Sequence, residues 1–570
     1  MVKAREILKD LTPFAGSCKN RTCRLKLDCN ENVFGVSKFV LNILKNIDEK
    51  ELLLYSNTET YINKFCEKHN IEAKKVLFFD KKNYALMGIT GAYIDENDEF
   101  LSYNSELNTI KSYVKCQKGI LKRIEYEKDF VFDKNSIIQN ISEKTKIIYI
   151  STPDIICGRI IKASLAESII KDYPEILFII DCSYISYCEN SEIEDFMDLT
   201  EKYENVIILK SYSSDCALAG FDLNVIVSNE SIINELKKII VPDDVTSLAL
   251  ICSAAAENDT NKIEENNELI KKNKKLLIDG LINAGYKPYD SSANFIICDF
   301  YGYSDFYYKK FKNNGILVKK FEKNLPYSSC LRITVPTEGG VRYILELIKK
   351  KDVLIFNPER TLFDTANSYM SAIVKTIEIL TGEHISKEKA IKARNSSGLS
   401  FDIDIINQIL DEMYYGPNEE EITKTYKETI FSIDEETQKK YIENTTLLLS
   451  LEEIEKLSKK YDLALVSNRE IKEIKYLLEK LNIERFFNYI SYNDINEAKV
   501  HIPALSVKLI TSNFDDIIAG NNCNIDTIGV TVNEIENGSQ LMTNNFKHLG
   551  AKYILNDIKS LPDFLKDFKG

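Results

Sequence analysis

Short apolar runs alternate with amphipathic segments along most of this chain, and that alternation restricts its possible folds more than any other feature. The runs at 146–150, 176–180, 206–209 and 225–227 read as buried strands, and each is followed by a loop and a helical pattern. This alternation is typical of a mostly parallel sheet with helices on both faces. We therefore predict an α/β fold.

The pattern changes twice further along the chain. Residues 260–285 predict one long charged helix, and 294–300 and 331–335 predict strands of a smaller α+β subdomain. At Lys351 an apolar strand begins again and runs into a polar turn; 365–455 are mainly helical, and strands return at 463–467, 509–512 and 527–530. Because 570 residues exceed what one core accommodates, we predict two domains, 1–350 and 351–570, the second with a helical insertion at about 366–455.

Composition excludes several classes of function. The net charge of -13 and the absence of a long basic stripe argue against nucleic-acid binding. No apolar run reaches membrane-spanning length, and the N-terminus lacks a signal-peptide pattern. The 13 cysteines show no paired spacing, which favours free thiols and a reducing, cytoplasmic setting. No protein or membrane partner is indicated by these features.

Four short motifs follow one another in the first 350 residues. They are Leu-Asp-Cys-Asn-Glu-Asn-Val-Phe-Gly (27–35), Asp-Cys-Ser-Tyr (181–184), Lys-Ser-Tyr-Ser-Ser-Asp-Cys-Ala-Leu-Ala-Gly (210–220) and Leu-Arg-Ile-Thr-Val-Pro-Thr (331–337). In order and rough spacing they resemble motifs of histidinol-phosphate aminotransferase, an enzyme of the pyridoxal phosphate (PLP) fold type I. The resemblance implies a large domain at about 40–250, a small domain formed by 1–40 and 260–350, and a homodimer whose sites lie across the subunit interface.

The resemblance also places site residues of the family in this chain. Asp181 matches the carboxylate that keeps the pyridinium of PLP protonated, and Tyr184 matches its neighbour. Tyr55 stands where a partner-subunit tyrosine reaches the phosphate, and Arg332 where an arginine grips the substrate carboxylate. Ser214 stands in place of the lysine that holds PLP, and a hydroxyl cannot form the imine that makes PLP an electron sink.

Other cofactor positions depart from the family pattern as well. The phosphate turn, usually Gly-Ser-Asp/Asn, falls on Lys81-Lys82-Asn83, without the glycine that permits close backbone approach. The stacking aromatic ring falls at Leu107 and the asparagine that binds the ring hydroxyl at Ile155. The phosphate-binding arginine falls at Asp222, where a carboxylate is expected to repel a phosphate.

Each matching residue also has a purely structural interpretation. Asp181 could end a strand and cap a helix or turn, Tyr55 could pack at a subunit contact, and Arg332 could form an internal salt bridge. Lys210 lies four residues before Ser214 but is expected to emerge elsewhere on the sheet edge, so we do not expect it to replace the missing lysine.

Residues 351–570 resemble the haloacid dehalogenase (HAD) superfamily, particularly members with a helical cap after the first strand. The family's Asp-x-Asp-x-Thr motif corresponds to a segment in which Asn357 takes the nucleophile position and Glu359 the general-acid position. A neutral amide is a poor nucleophile toward phosphorus and does not supply the carboxylate that Mg²⁺ prefers. The resemblance therefore implies a phosphatase outline without its nucleophile.

The remaining HAD motifs are present in part. Ser467 matches the hydroxyl that binds the phosphoryl group, Lys499 is the candidate for the third motif, and Asp515 and Asp516 remain of the metal-binding motif, with Ser512 in place of its first ligand. The alternative is that Ser467 and Asp516 cap helices and form turns. We expect weak Mg²⁺ binding at most.

Two degenerate sites in one chain predict a non-catalytic pseudoenzyme that acts by binding, scaffolding or regulation, with neither PLP nor Mg²⁺ expected as cofactor. A small carboxylate or phosphate is the class of ligand that such inherited clefts suit. Two alternatives stay open: a PLP-dependent aminotransferase of altered activity, and a phosphatase that uses a rearranged HAD site.

Overall fold

The computed structural model describes residues 3–11, 13, 23–103, 108–188, 196–242, 244–397, 402–434, 437–492, 494–531 and 538–567. These residues divide into two compact units. The first comprises 1–304 and 315–348, and the second comprises 305–314 and 349–570. The division near 348 lies close to the predicted boundary, whereas the assignment of 305–314 to the second unit has no counterpart in the sequence analysis.

Residues 23–348 contain strands and helices in the alternating order that the apolar runs predict. The strands are β1 (Leu25–Leu27), β2 (Val76–Asp80), β3 (Glu99–Ser102), β4 (Ile120–Arg123), β5 (Thr145–Ser151), β6 (Leu177–Asp181), β7 (Val206–Ser211), β8 (Leu223–Ser228), β9 (Lys287–Pro288), β10 (Phe295–Asp299), β11 (Ile316–Lys320) and β12 (Cys330–Thr334). The helices are α1 (Lys38–Lys45), α2 (Lys50–Leu53), α3 (Thr58–His69), α4 (Lys82–Tyr93), α5 (Asn108–Cys116), α6 (Lys134–Ile138), α7 (Ala163–Ile170), α8 (Leu199–Lys202), α9 (Tyr212–Asp215), α10 (Glu230–Leu236), α11 (Ser247–Glu257), α12 (Thr260–Asn283), α13 (Ser304–Asn313) and α14 (Glu338–Leu347).

The large sheet of the first unit has the order β2-β8-β7-β6-β5-β3-β4. Strands β4, β3, β5, β6 and β7 run parallel, and β8 runs antiparallel to both β7 and β2. Both faces of the central strands are buried, because Ile148 and Ile180 pack on one side and Ile147 and Ile179 on the other. A second, mainly antiparallel sheet has the order β1-β11-β12-β10-β9. This is the predicted α/β unit with a smaller α+β part.

The second unit is built around a fully parallel sheet. Its strands are β13 (Lys351–Phe356), β14 (Phe363–Asp364), β15 (Ile433–Asp434), β16 (Lys439–Lys440), β17 (Thr446–Leu447), β18 (Asp462–Ser467), β19 (Phe487–Tyr492), β20 (Ala504–Thr511), β21 (Asp526–Val530) and β22 (Tyr553–Leu555). The main sheet has the order β19-β18-β13-β20-β21-β22, with every neighbouring pair parallel. Parallel neighbouring strands must be joined by crossover connections, which are usually helices, and helices alternate with the strands of this sheet along the chain.

Helices of the second unit fall into two groups. Four of the described helices lie between β14 and β15, within the predicted helical insertion, and the others alternate with the strands of the sheet. They are α15 (Tyr369–Thr381), α16 (Lys387–Ser397), α17 (Asp402–Glu412), α18 (Glu419–Ile430), α19 (Leu451–Lys460), α20 (Ile471–Lys480), α21 (Ile495–His501), α22 (Phe514–Asn522), α23 (Gly538–His548) and α24 (Leu561–Asp567). Across the part of the chain that is described, no helix is both long and apolar enough to cross a membrane.

Candidate functional site

The candidate site of the first unit lies at the carboxyl ends of the parallel strands. Ser151 ends β5, Asp181 ends β6 and Ser211 ends β7, and Ser151 and Asp181 face each other in register. The carboxyl edge of a parallel sheet is where α/β proteins usually place ligands, because loops and helix N-termini converge there. The motif residues predicted from the sequence come together at this edge.

Asp181 is buried, with 2% of its surface exposed, and its carboxylate is saturated with donors. The hydroxyl of Tyr149 donates to Oδ2 at 2.5 Å, and the Ser183 amide donates to Oδ1 at 3.0 Å. The Ser183 hydroxyl also donates to Oδ1. The Ser183 contacts close a turn after β6, which is the structural interpretation foreseen for Asp181.

The remaining partner of Asp181 is an ammonium group from the phosphate turn. Lys82, the first residue of α4, donates from Nζ to Asp181 Oδ2 at 2.8 Å and to Ser183 Oγ at 2.9 Å. Burial alone would raise the pKa of Asp181, but the Lys82 charge and the hydrogen bonds of Lys82, Ser183 and Tyr149 hold that pKa below its usual value. Burial would likewise lower the pKa of Lys82, but Asp181 reverses the effect and raises it. Both groups are therefore charged at neutral pH.

Ser214 lies inside α9, the short helix that follows β7. It is buried, and its main-chain carbonyl accepts hydrogen bonds from the Tyr187 hydroxyl and, at 3.5 Å, from the Asn32 side-chain amide. The segment around Ser214 is thus held by side chains from two other parts of the unit. The serine at this position is a well-packed part of the fold.

Asp222 lies beside the N-terminus of α4. Its carbonyl accepts the Lys81 amide at 2.9 Å, and its carboxylate accepts the Ser213 hydroxyl at 2.9 Å and the Asn224 amide at 3.3 Å. The Asp222 charge also contributes to the raised pKa of Lys82. Free N–H groups and the helix dipole make a helix N-terminus favourable for an anion, and here the chain places a carboxylate near it.

Lys210 points away from this site. Its Nζ lies 3.2 Å from Glu257 Oε1, at the end of α11, and 5.6 Å from the ring centroid of Phe65. Burial alone would raise the pKa of Glu257, but the hydrogen bond from His69 and the charges of Lys210 and Lys68 lower this pKa to about 2. Lys210 is therefore held as the counterion of a largely buried glutamate.

Arg332 is anchored to the main chain of two other segments. Its two terminal nitrogens donate to main-chain carbonyls, at 2.7 Å to Ile155 and at 3.0 Å to Asp28, and its guanidinium lies 5.2 Å from the Phe295 ring centroid. Its two predicted roles, contact with a substrate carboxylate and an internal salt bridge, stay predictions. Arg332 joins β12 to the 151–158 segment and to the segment after β1.

Three other predicted positions have different outcomes. The Tyr184 hydroxyl accepts the Asn30 side-chain amide at 3.2 Å, beside Asp181. Tyr55 is 99% exposed, so it belongs to no site formed within this single chain. Leu107 lies outside the described residues.

The model of the family called aminotransferase class I and II matches residues 24–348. The chain belongs to this family. Histidinol-phosphate aminotransferase from Clostridium novyi is 26% identical to this chain over 305 residues. The aligned region covers 51% of this chain and 82% of the Clostridium novyi protein. The enzyme of the same name from Methanocaldococcus jannaschii is 28% identical over 320 residues, 52% of this chain and 83% of its own length.

Solved structures show the same fold. Histidinol-phosphate aminotransferase from Sinorhizobium meliloti, in complex with pyridoxal-5'-phosphate, superposes with a TM-score of 0.57 at 15% identity, over 61% of this chain and 98% of that chain. The enzyme from Clostridium acetobutylicum gives a TM-score of 0.51 at 20% identity, over 57% and 98%. These likenesses extend across the first unit and support PLP fold type I as its architecture.

The side chains of this aminotransferase-family site do not fit the attachment of PLP that the resemblance implies. Position 214 offers a hydroxyl in place of an amine, and Asp222 brings a negative charge to the place of the phosphate. The carboxylate of Asp181, which would meet the pyridinium, already binds Lys82. From the sequence, Lys82 was placed in the phosphate turn and its pairing with Asp181 was not predicted. The signal that could have revealed the pairing is the reversed charge at 222 together with the extra lysine at 82.

The second unit has its own polar cluster at the carboxyl edge of its sheet. The Asn357 side-chain amide, just after β13, donates to Asp516 Oδ2 at 2.7 Å, and the Thr511 hydroxyl donates to the same oxygen at 2.7 Å. Burial raises the pKa of Asp516 to about 6, and the nearby charges of Asp515 and Glu359 act in the same direction against these hydrogen bonds. The predicted nucleophile and metal positions are thus in direct contact with each other.

Glu359, at the predicted general-acid position, belongs to a buried ion-pair cluster. Its carboxylate lies 2.5 Å from Arg469 Nε and 2.8 Å from an Arg394 nitrogen. Asp402 contacts the same two arginines at 2.6 Å and 3.5 Å. The guanidinium carbon of Arg469 also lies 3.2 Å from the Tyr369 ring centroid. Both oxygens of Glu359 are therefore engaged with guanidinium groups.

The other predicted HAD positions differ in their surroundings, although Ser467 lies on the strand next to the one that precedes Asn357. Ser467 ends β18 and its hydroxyl accepts the Arg469 amide at 3.1 Å, which is the turn-forming role named as the alternative. The prediction that Lys499 joins the site is wrong: its ammonium donates to the carbonyl of Cys523, at the opposite end of α22 from Asp516. Asp515 is exposed in the first turn of that helix.

The described side chains do not form a metal site. Among them, no group of three or more His, Cys, Asp or Glu residues is arranged to hold a metal ion. Of the predicted pair, Asp516 accepts an amide and a hydroxyl donor at the oxygen that faces Asn357, while Asp515 is exposed.

Proposed function

We propose that this member of the aminotransferase class I and II family is non-catalytic and acts by binding, scaffolding or regulation. The observation that supports this most directly is Ser214 at the position of the imine-forming lysine, buried and held through its carbonyl. Lys82 and Lys210 are both engaged in ion pairs, Lys82 with Asp181 and Lys210 with Glu257. Transamination needs an amine that can form and release an imine, and neither lysine is free to do so.

The charge of the site supports the same proposal. A phosphate ester brings negative charge, and Asp222 stands where the family has an arginine. Placing a phosphate against the Asp222 carboxylate would cost Coulomb energy. The ligand class that we propose for the remaining cleft is a small carboxylate or phosphate, bound away from Asp222 and without covalent attachment.

The test is a PLP titration of the purified full-length chain, followed by borohydride reduction and peptide mass spectrometry. We expect no lysine-imine absorbance band and no pyridoxyl peptide from residues 24–348. Ser214→Ala should behave as the unmodified chain does. An adduct on any lysine of this unit would refute the proposal.

A second candidate is a PLP-dependent aminotransferase of altered activity, and the presence of the Lys82 amine inside the site favours it. If PLP becomes attached, Lys82→Arg and Lys210→Arg distinguish the two amines, because arginine keeps the charge of lysine but does not form an imine. Loss of the adduct in Lys82→Arg alone would establish this candidate.

We propose further that the first unit forms a homodimer. Leu52, Leu53, Leu54 and Tyr55 are 62%, 71%, 68% and 99% exposed, a contiguous apolar surface of the kind that marks protein interfaces. The family resemblance assigns Tyr55 to a contact with the partner subunit, where its exposure in the single chain is expected.

For residues 349–570 we propose a degenerate HAD-like domain without phosphatase activity. Support comes from the parallel sheet with helices inserted after its first strand, and from Asn357 at the nucleophile position. The remaining alternative is a phosphatase with a rearranged site. Hydrolysis of an aryl phosphate in the presence of Mg²⁺, abolished by Asp516→Ala and unaffected by Asp515→Ala, would establish that alternative.

We also propose a reducing cytoplasmic setting for the chain. Every cysteine among the described residues is a free thiol, and most of them are buried. Free thiols at this number are typical of compartments that keep cysteine reduced. The test is to direct the chain into a disulfide-forming compartment and to measure its oxidised fraction by thiol labelling. Disulfide formation there that leaves the fold native-like would argue against the proposal.

A further inference from the structure

Two side chains of opposite charge lie at the candidate site of the first unit. Lys82 places a cation 2.8 Å from the buried Asp181 carboxylate. The Asp222 carboxylate accepts hydrogen bonds from Ser213 and Asn224, and its charge acts on Lys82; the main-chain carbonyl of Asp222 accepts the Lys81 amide just before α4. PLP carries the same two charges, on its ring nitrogen and on its phosphate.

We propose that Lys82 and Asp222 replace, within the polypeptide, the two charged ends of PLP. Lys82 neutralises Asp181 as a pyridinium would, and Asp222 supplies the negative charge at the helix N-terminus as a phosphate would. The first unit therefore keeps the architecture of a cofactor site with no cofactor in it. This inference rests on the proposed non-catalytic function and adds the residues that make such a site stable.

Burial explains why Asp181 requires a cation. Its side chain is 2% exposed, whereas that of Lys82 keeps 23% exposure. A buried carboxylate without a counterion carries a large desolvation penalty, and removal of one partner from a buried pair is strongly destabilising. The Tyr149 and Ser183 donors reduce that penalty, but they carry no full charge to balance it.

The N-terminus of α4 is a favourable neighbourhood for the Asp222 carboxylate. The first turn of α4 has N–H groups without partners in the helix, and the helix dipole favours an anion there. Ser213 and Asn224 hold the Asp222 carboxylate in place through hydrogen bonds. Ser213 and Asp222 are therefore fixed together, next to the turn that carries Lys82.

A consequence is that restoring the lysine of the family at position 214 is not sufficient for PLP binding. PLP would have to displace the Lys82 ammonium from Asp181 and approach the Asp222 carboxylate. Both internal charges must be removed before an imine forms at position 214.

The test compares three full-length variants after PLP addition and borohydride reduction. Ser214→Lys/Asp222→Arg keeps Lys82; a second variant adds Lys82→Asn; the matched control adds Lys81→Asn, which changes the adjacent exposed lysine. We expect at least about tenfold more pyridoxyl adduct at position 214 in the variant with Lys82→Asn than in either of the other two variants. This difference corresponds to about 1.4 kcal/mol. Equal adduct in all three variants would overturn the proposal, and so would its absence from a folded Lys82→Asn variant.

A second measurement examines the ion pair in the otherwise unmodified chain and does not depend on PLP. Lys82→Met should lower the thermal unfolding midpoint of the first unit, and adding Asp181→Asn should restore most of it, since the charge that needed a counterion is then gone. Lys81→Met, alone or with Asp181→Asn, is the control and should be additive. Additive effects for Lys82 and Asp181 would overturn the proposal. An imine in the unmodified chain would refute the proposed function separately.

Discussion

Asn357 donates its side-chain amide to Asp516 Oδ2 at 2.7 Å. In the degenerate HAD-like domain that we propose, these two residues take the positions of the nucleophile and of a metal ligand. An amide is compatible with a buried carboxylate because it donates a hydrogen bond and adds no charge. A carboxylate at 357 would require a cation between the two residues. The chemistry of this edge of the second unit is therefore that of a hydrogen-bonded structural pair.

Asp516→Asn should stabilise the second unit. The pKa of Asp516 is raised by burial from 3.8 to about 6, so the folded state holds its proton more tightly than the unfolded state. Its contribution to stability is present below about pH 4 and is lost as the pH rises to about 6. Asparagine can place its oxygen where Oδ2 accepts both hydrogen bonds. The free energy of unfolding should therefore increase by about 3 kcal/mol above pH 6, and this increase should vanish near pH 4.

Chemical denaturation at several pH values measures this change. The exposed neighbour Asp515 provides the control, because Asp515→Asn alters the same helix turn without a buried charge. A stability difference between Asp516→Asn and the unmodified chain that does not change with pH would contradict the expected role of the buried carboxyl.

Asn357→Asp should have the opposite effect and should create a response to Mg²⁺. Two adjacent buried carboxylates are expected to cost about 3 kcal/mol at pH 8, and less at pH 5, where Asp516 is protonated and can donate to its neighbour. We expect Mg²⁺ to raise the unfolding midpoint of this variant and to leave that of the unmodified chain unchanged. Asn513→Asp, which exchanges one good helix cap for another, is the control. A Mg²⁺ shift already present in the unmodified chain would show that the metal site survives.

Glu257→Gln should destabilise the first unit in a manner that disappears in acid. The pKa of Glu257 is lowered from 4.5 to about 2, so its charged form stabilises the folded state above about pH 4.5, and this stabilisation is lost as the pH falls toward 2. The expected loss at pH 7 is about 3 kcal/mol. Glu67→Gln, on the exposed side of α3, is the control. Thermal unfolding followed by circular dichroism reports both; an equal loss for Glu257→Gln at pH 7 and at low pH would count against the ion pair with Lys210.

Leu53→Glu should convert the proposed dimer to monomers. Leu53 is 71% exposed between two other exposed leucines, and a charge at the centre of an apolar interface removes the burial that drives association. Size-exclusion chromatography with light scattering should give half the mass of the unmodified chain. Ile379→Glu, at a 56% exposed position of α15, should leave the mass unchanged. A monomeric unmodified chain would refute the dimer directly.

The fold of both units could be read from the sequence to a large extent. The predicted strands at 206–209 and 463–467 correspond to β7 and β18, and the long charged helix predicted at 260–285 is α12 (Thr260–Asn283). Buried parallel strands are nearly continuous apolar runs, so they stand out against the charged helices around them. The antiparallel direction of β8 was not predictable in this way, because burial on both faces looks the same for either direction.

The candidate sites were predictable only as positions along the chain. Asp181 and Ser214 were identified because single residues stood out against a family pattern, whereas Lys82 bonds to a residue 99 positions away. A long flexible side chain can reach several places, and the sequence does not say which one. The same holds for Lys499, whose side chain turns to the far end of α22, and for Arg332, which binds main-chain carbonyls that no sequence pattern marks.

The position of helix α13 restricts where the gene for such a chain can be divided. It lies within the stretch that matches the aminotransferase family, yet it belongs to the second unit, where Lys310 forms a buried ion pair with Asp462 at 2.7 Å. The polypeptide therefore passes from one unit to the other at 304–305, at 314–315 and at 348–349. A gene shortened after residue 348 would encode Lys310 without its counterion, so recombination at that point would not release two intact modules.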